Sequence, residues 1–211
     1  MKGKCFNIPE KFRNRMLMMI IGVCVQALGV AMLIRINFGT DPFTTLNLAI
    51  IKYIPVSFGT WTLICNIILF VPVILFDMSK IGFGTIGNMV CLGYIADFYG
   101  WIIDSTVLSR LFEGMAARSI MLIPAMIVFI CGAACYLCAD LGSSPYDGLP
   151  FIIGAHLPKL QFKYVRMTWD ISFTVLGFLI GGTVGVVTII TAFFLGPAIA
   201  LFQKKLAVFV S

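Results

Sequence analysis

Few side chains in this sequence could do chemistry, and they gather around two short motifs. "NFGTDPF" (Asn37 to Phe43) sets an amide, a glycine, a carboxylate and a proline inside apolar sequence, and "DLGSSPY" (Asp140 to Tyr146) follows the same order. Asp41 and Ser144 are strong N-cap types, Pro42 and Pro145 suit the first helical position, and Gly39 and Gly142 let the chain turn ahead of the cap. Two helix starts are predicted. Such starts carry unpaired N–H groups and partial positive charge, which is chemistry for holding an anionic group. The same residues also fit plain capped turns at a membrane surface. Asn66, Asp147, Arg166 and Asp170 complete the candidate ligand set with Asn37 and Asp140. Arg166 and Asp170, at i, i+4, read either as a neutralising pair or as part of a substrate or ion site.

Catalysis has little support. The sequence holds no nucleophile elbow, no Walker A loop and one histidine, His156, so most hydrolase and metal chemistries drop out. No cofactor and no metal are expected. Cys131, Cys135 and Cys138 share a helical face, where small polarizable packing residues are the expectation, because hydrocarbon disfavours a thiolate.

Elements able to hold these residues must lie in a bilayer. Of 211 residues, 60% are hydrophobic and 11% charged, against roughly 45–50% and about 25% in soluble domains. Met16 to Ile34, Trp61 to Phe76, Ile81 to Ile103 and Ser119 to Ala139 are candidate spans, and Ile171 to Phe202 runs 32 residues without charge. That last run is expected to bend at Gly181-Gly182-Thr183. A buried charge at the bilayer centre costs ~2.5–3.5 kcal/mol even on the mild scale, so each one calls for a reason. Asp97, near Tyr99 and Trp101, is expected at an interfacial aromatic belt.

A shift of 103 places Gly29, Ala31, Gly39, Pro42 and Leu46 on Gly132, Ala134, Gly142, Pro145 and Leu149, and Gly82, Thr85, Leu92 and Gly93 on Gly185, Thr188, Leu195 and Gly196. Asn66 meets Asp170 after one inserted residue. The expectation is a duplicated, all-α polytopic membrane protein with two tandem repeats, each of three long transmembrane helices plus one short helix. Residues 1–15 form a basic N-terminus, 16–103 the first repeat, 104–118 a linker, 119–203 the second repeat and 204–211 the C-terminus. The short segments, Phe43 to Tyr53 and Tyr146 to Leu157, are 11 and 12 residues long, about half of a crossing. If they cross, the repeats are parallel and 13 of 15 basic residues lie inside; if they re-enter, the repeats are inverted and the count is 11 of 15. The positive-inside rule mildly favours the parallel arrangement, with both termini cytoplasmic.

"NFGTDPFTTLN", "DLGSSPYDGL", "SFGTW" and "GFGTIGNMVCLGYIADF" resemble the bacterial YczE/YyaS/YitT group of integral membrane proteins over nearly the full chain. The resemblance implies a bacterial cytoplasmic membrane protein of duplicated architecture and transfers no catalytic or binding residues. The second copy departs from the pattern, with Phe162-Lys163-Tyr164 for Phe58-Gly59-Thr60 and Ala200 for Asp97. The expected function is a small secondary transporter or export facilitator that binds an anionic or zwitterionic solute between two half-helix N-termini. A substrate-capturing or regulatory subunit docked on a partner is the alternative, and a channel stands third. The expected partners are the lipid bilayer, the solute, and either a second copy or another membrane subunit; nucleic acid is not expected, because the basic residues form a topology signal.

Overall fold

The computed structural model describes residues 9–78, 81–157, 160–194 and 196. These form an all-helical fold: α1 (Phe12–Ile36), α2 (Pro42–Ile51), α3 (Phe58–Phe76), α4 (Phe83–Ser105), a 3-10 turn (Val107–Phe112), α5 (Gly114–Cys138), α6 (Pro145–His156) and α7 (Phe162–Leu179). A further helix, α8, covers residues 186–194. Among the described residues α1, α3, α4 and α5 are long and apolar enough to cross a membrane. Helix α7 has 18 residues but carries Lys163, Arg166 and Asp170. The predicted bend falls in place, with α7 ending at Leu179 and Gly181 at φ +87°. Residues 79–80, 158–159, 195 and 197–211 are outside the description, so the C-terminal end of the predicted last span and Ala200 lie outside the described residues.

The short helices start as the motifs predict. Asp41 accepts the Thr44 N–H at 3.1 Å and Ser144 Oγ accepts the Asp147 N–H at 3.2 Å, with proline at the next position in both. Asn37 and Asp140 adopt left-handed backbone, φ 57° and 50°, and end the preceding helices. Asparagine and aspartate tolerate that conformation better than most side chains.

Helix directions follow from which residues meet. On α1 and α5, Gly22 faces Tyr136, Gln26 faces Gly132 and Gly29 faces Phe129, so one number rises as the other falls. The two helices are antiparallel. This reverses the mild preference for a parallel arrangement drawn from charge counting. Close backbone packing holds the pair: a Cβ on Gly29 would lie 2.7 Å from that of Phe129, and one on Gly132 would lie 2.6 Å from Gln26 Cα. Helix α4 runs with α1, since Phe12 meets Phe83 and Arg35 pairs with Asp104. Helix α3 runs against α4, because Gly59 lies by Tyr94 while Thr62 lies by Gly93.

Helix α6 follows α3, with Leu149 and Ile152 packed on Val73 and His156 on Phe76. Helix α7 opposes α6, since Phe162 stacks on Phe151 and Asp170 meets Tyr146. Helix α2 follows α7 through Phe43–Phe173, Leu46–Gly177 and Lys52–Gly181. Two short helices therefore point in opposite directions, α2 with α1 and α6 with α5. Their N-terminal turns meet where Phe43 and Tyr146 stack at 4.7 Å.

Because α2 points the same way as α1, residues 37–41 must return alongside it. Five extended residues reach about 16 Å, matching the ~15 Å of a 10-residue helix. Backbone groups on that return find partners: Phe38 C=O accepts the Val187 N–H at 3.2 Å, and Leu141 C=O accepts the Gly84 N–H at 2.7 Å. Both partners of one bond lie 103 residues from those of the other. Gly39 (φ +90°) packs on Gly185 and Thr188, and Gly142 (φ +100°) on Gly82 and Thr85, leaving no room for a side chain.

Candidate functional site

Where the N-terminal turns of α2 and α6 meet, seven helices converge on a cavity of about 50 Å³. Its polar lining comes from Gln26 on α1, Asp41 and Thr44 at the start of α2, Asn66 on α3, Asn88 on α4, Ser144 and Asp147 at the start of α6, and Arg166 on α7. Asp41, Asn66, Ser144, Asp147 and Arg166 were candidates from the sequence alone.

One side of the cavity is a closed ionic network. Arg166 reaches Asp147 at 3.0 Å and Asp170 at 3.1 Å, and its guanidinium lies 5.2 Å from the centre of the Tyr146 ring. Tyr146 donates its hydroxyl to the other Asp170 oxygen. Asp170 is 1% exposed, so the arginine and the phenol together replace the water it lost on burial. Asp147 is held further by Ser144 Oγ at 2.8 Å and by the Tyr136 hydroxyl at 3.3 Å. That tyrosine in turn accepts the Ser144 N–H at 2.7 Å. Trp169 and Phe173 pack around Tyr146 and shield the network.

The opposite side holds no ion pair among the described residues and is incompletely bonded. Asn66, 2% exposed, donates to its own helix at Thr62 C=O, while its side-chain oxygen has no partner. Thr62 Oγ1 is also buried without one. Asp41, 8% exposed, takes its described bonds from Thr44 and from its own backbone N–H and makes no ion pair among the described residues. Asn88 donates to Gln26 at 3.3 Å on the same side. Among the described residues Arg166 is the only cation lining or bonded into this site, and it is set against the three carboxyl groups of Asp41, Asp147 and Asp170.

Other sequence candidates sit elsewhere. Pro42 and Pro145 occupy the first helical turn, and Gly39 and Gly142 carry the chain into it. Asp140, expected beside the motif, points outward with its side chain 90% exposed and Arg15 at 3.9 Å. Arg35 grips Asp104 at the far end of α1. Asn37 borders a second cavity of about 260 Å³, which also touches Gly39, Thr40, Thr45, Lys52 and Thr183. Asp97 has a partner on a neighbouring helix. Its carboxylate accepts the Gly59 N–H at 2.8 Å and caps α3 from a neighbouring helix. Gln26, Asn88 and Tyr136 were missed as site residues; the only signal was their polarity within apolar runs.

Cys135 Sγ lies 3.4 Å from Met18 C=O, and none of the described cysteines forms a disulfide.

Residues 13–204 match the profile of the Family of unknown function (DUF6198). The chain belongs to this family. It is 27% identical over 192 residues to an uncharacterized protein of Haemophilus influenzae, covering 90% of this chain and 83% of that protein. It is 26% identical over 185 residues to uncharacterized protein YyaS of Bacillus subtilis, with 87% and 89% covered. Uncharacterized membrane protein YczE of Bacillus subtilis is 24% identical over 177 residues, with 83% and 79% covered. The resemblance read from the motifs is therefore correct, and the chain is an all-helical, polytopic membrane protein. No solved structure matches it.

Proposed function

We propose that the protein is a small secondary transporter of the bacterial cytoplasmic membrane, built from inverted repeats, with both termini cytoplasmic. One observation carries this reading: two short helices meet N-terminus to N-terminus, each preceded by an extended return. In a bilayer that arrangement puts irregular backbone at mid-depth, which survives only where protein buries it or a cavity reaches it. Paired broken helices at a repeat interface are a common transporter device. Reciprocal bonds from Phe38 and Leu141 support the inverted-repeat reading. The Phe43–Tyr146 stack blocks the axis between the helices, which favours alternating access over an open pore.

The solute's place shifts from the one expected. The Asp41 carboxylate already caps α2, and Asp147 lies in the first turn of α6 on the hydroxyl of its Ser144 cap, so an anion gains little there. The 260 Å³ cavity suits it better, because Lys52 is its charged lining residue, set among hydroxyls of Thr40, Thr45 and Thr183 and apolar Leu33 and Leu48. An anionic or zwitterionic solute with an apolar part fits that surface. The test is purification of the single chain, reconstitution into liposomes and uptake of labelled small acids and zwitterions. Saturable uptake that falls at least tenfold in Lys52→Gln is expected. Uptake absent in the single chain but present after co-purification with an ATPase would overturn autonomous transport and favour the partner-subunit alternative.

A further inference from the structure

We propose that the central cavity is a binding site for one monovalent alkali cation, with Asp41 and the side-chain oxygen of Asn66 as its principal ligands. The cavity lies between groups that lack something positive. Asp41 is buried with no ion pair among the described residues, and its bonds come from Thr44 and from its own backbone N–H. The charged group that acts on it within the site is Asp147, a like charge, while Arg166 is already shared between two other carboxylates. Asn66 turns its amide N–H into α3, which leaves a buried carbonyl-type oxygen unpartnered on the cavity wall. A buried acceptor without a donor carries its full desolvation cost, and a cation removes that cost for both groups at once.

Ligand chemistry and size narrow the ion. Thr44, Gln26 and Asn88 add further oxygens and no thiol or imidazole, a set suited to hard cations. No group of three His, Cys, Asp or Glu side chains among the described residues could hold a metal ion, which argues against a divalent ion. About 50 Å³ accommodates one small ion with a water or two, and excludes an organic cation. The positive end of α2 does not repel such an ion, because the Asp41 carboxylate stands between them. As a coupling ion this site rests on the transporter reading; as a bound ion it stands on the cavity alone.

The experiment is thermal unfolding of the purified full chain in detergent, titrated with sodium, lithium or potassium chloride at ionic strength held constant by choline chloride. A saturable rise in Tm of at least ~2 °C with one alkali ion over choline is expected, since a ligand of the folded state stabilises by mass action. Asp41→Asn keeps a good N-cap and should fold, yet should lose the rise. Asn66→Leu removes the orphaned oxygen and should lose it as well. Equal Tm values in all four salts, or an ion-specific rise retained in both variants, would overturn the site. An ion-specific rise without solute uptake in liposomes would leave the site standing and sink the transporter reading instead.

Discussion

Replacing Arg166 with Met should be among the most damaging single changes in the protein, and the structure says by how much. Arg166 stands 3.0 Å from Asp147 and 3.1 Å from Asp170; at an effective dielectric of about 20, each such pair is worth roughly 5.5 kcal/mol of Coulomb attraction. Desolvation of three buried ions opposes most of that gain, so the intact network adds little net stability. Removing only the cation keeps the desolvation and loses the attraction. Asp170 is then stranded with Tyr146, and Asp147 with Ser144 and Tyr136. Breaking a buried pair in this way costs ~3–5 kcal/mol, equivalent to roughly 6–20 °C in Tm for a chain of this size.

The control is the triple variant Arg166→Met, Asp147→Asn, Asp170→Asn. It removes all three charges and keeps polar groups for Tyr136 and Tyr146 to bond, so it should recover to within about 2 kcal/mol of the parent. Thermal unfolding followed by circular dichroism in detergent measures all three proteins. If Arg166→Met and the triple variant were equally unstable, the damage would come from lost packing on Tyr146 and not from uncompensated charge.

Three further outcomes follow from the packing. Gly132→Leu should abolish the folded monomer in size-exclusion chromatography, because a Cβ there already overlaps Gln26, whereas Gly154→Ala should be neutral or stabilising by up to ~1 kcal/mol, its nearest neighbour being Phe162 at 3.7 Å. Asp97→Ala should lower stability by ~1–2 kcal/mol and Asp97→Asn by less, since the amide can still accept the Gly59 N–H. In a cysteine-free background, reporters at Lys52 and Ser105 should react with an impermeant maleimide from one face of the membrane and a reporter at His156 from the other; all three reacting from one face would refute the re-entrant reading.

The helix starts were legible because capping is local chemistry. Asp41 and Ser144 bond N–H groups three residues ahead, so the spacing in "TDPFT" and "SSPYD" contains the whole interaction. The bend after Leu179 was legible for the same reason, through Gly181. Direction was not. Gly22, Gly29 and Gly132 mark a close helix contact, but a face of small residues accepts a partner of either direction, and counting 13 basic residues against 11 weighs a difference of two charges. The bond made by Asp97 was not legible because its partner, the Gly59 N–H, is a backbone group 38 residues away. Tyr136 was invisible as a site residue until α5 and α6 were folded together.

The two sides of the cavity differ in a way that the offset between the halves makes pointed. Asp147, Arg166 and Asp170 occupy positions that Thr44, Thr62 and Asn66 hold in the first half, at shifts of 103, 104 and 104. The charged trio is saturated: each member has two or more partners, and no polar atom of the three is orphaned. In the neutral trio, Thr62 and Asn66 each leave a buried oxygen unbonded. A saturated ionic network resists rearrangement, because moving any member strands another buried charge. Unbonded neutral oxygens carry no such constraint and gain from an arriving ligand. The α6–α7 side is therefore the rigid wall of the cavity, while Thr62 and Asn66 on α3 hold the side-chain oxygens still free to accept a hydrogen bond.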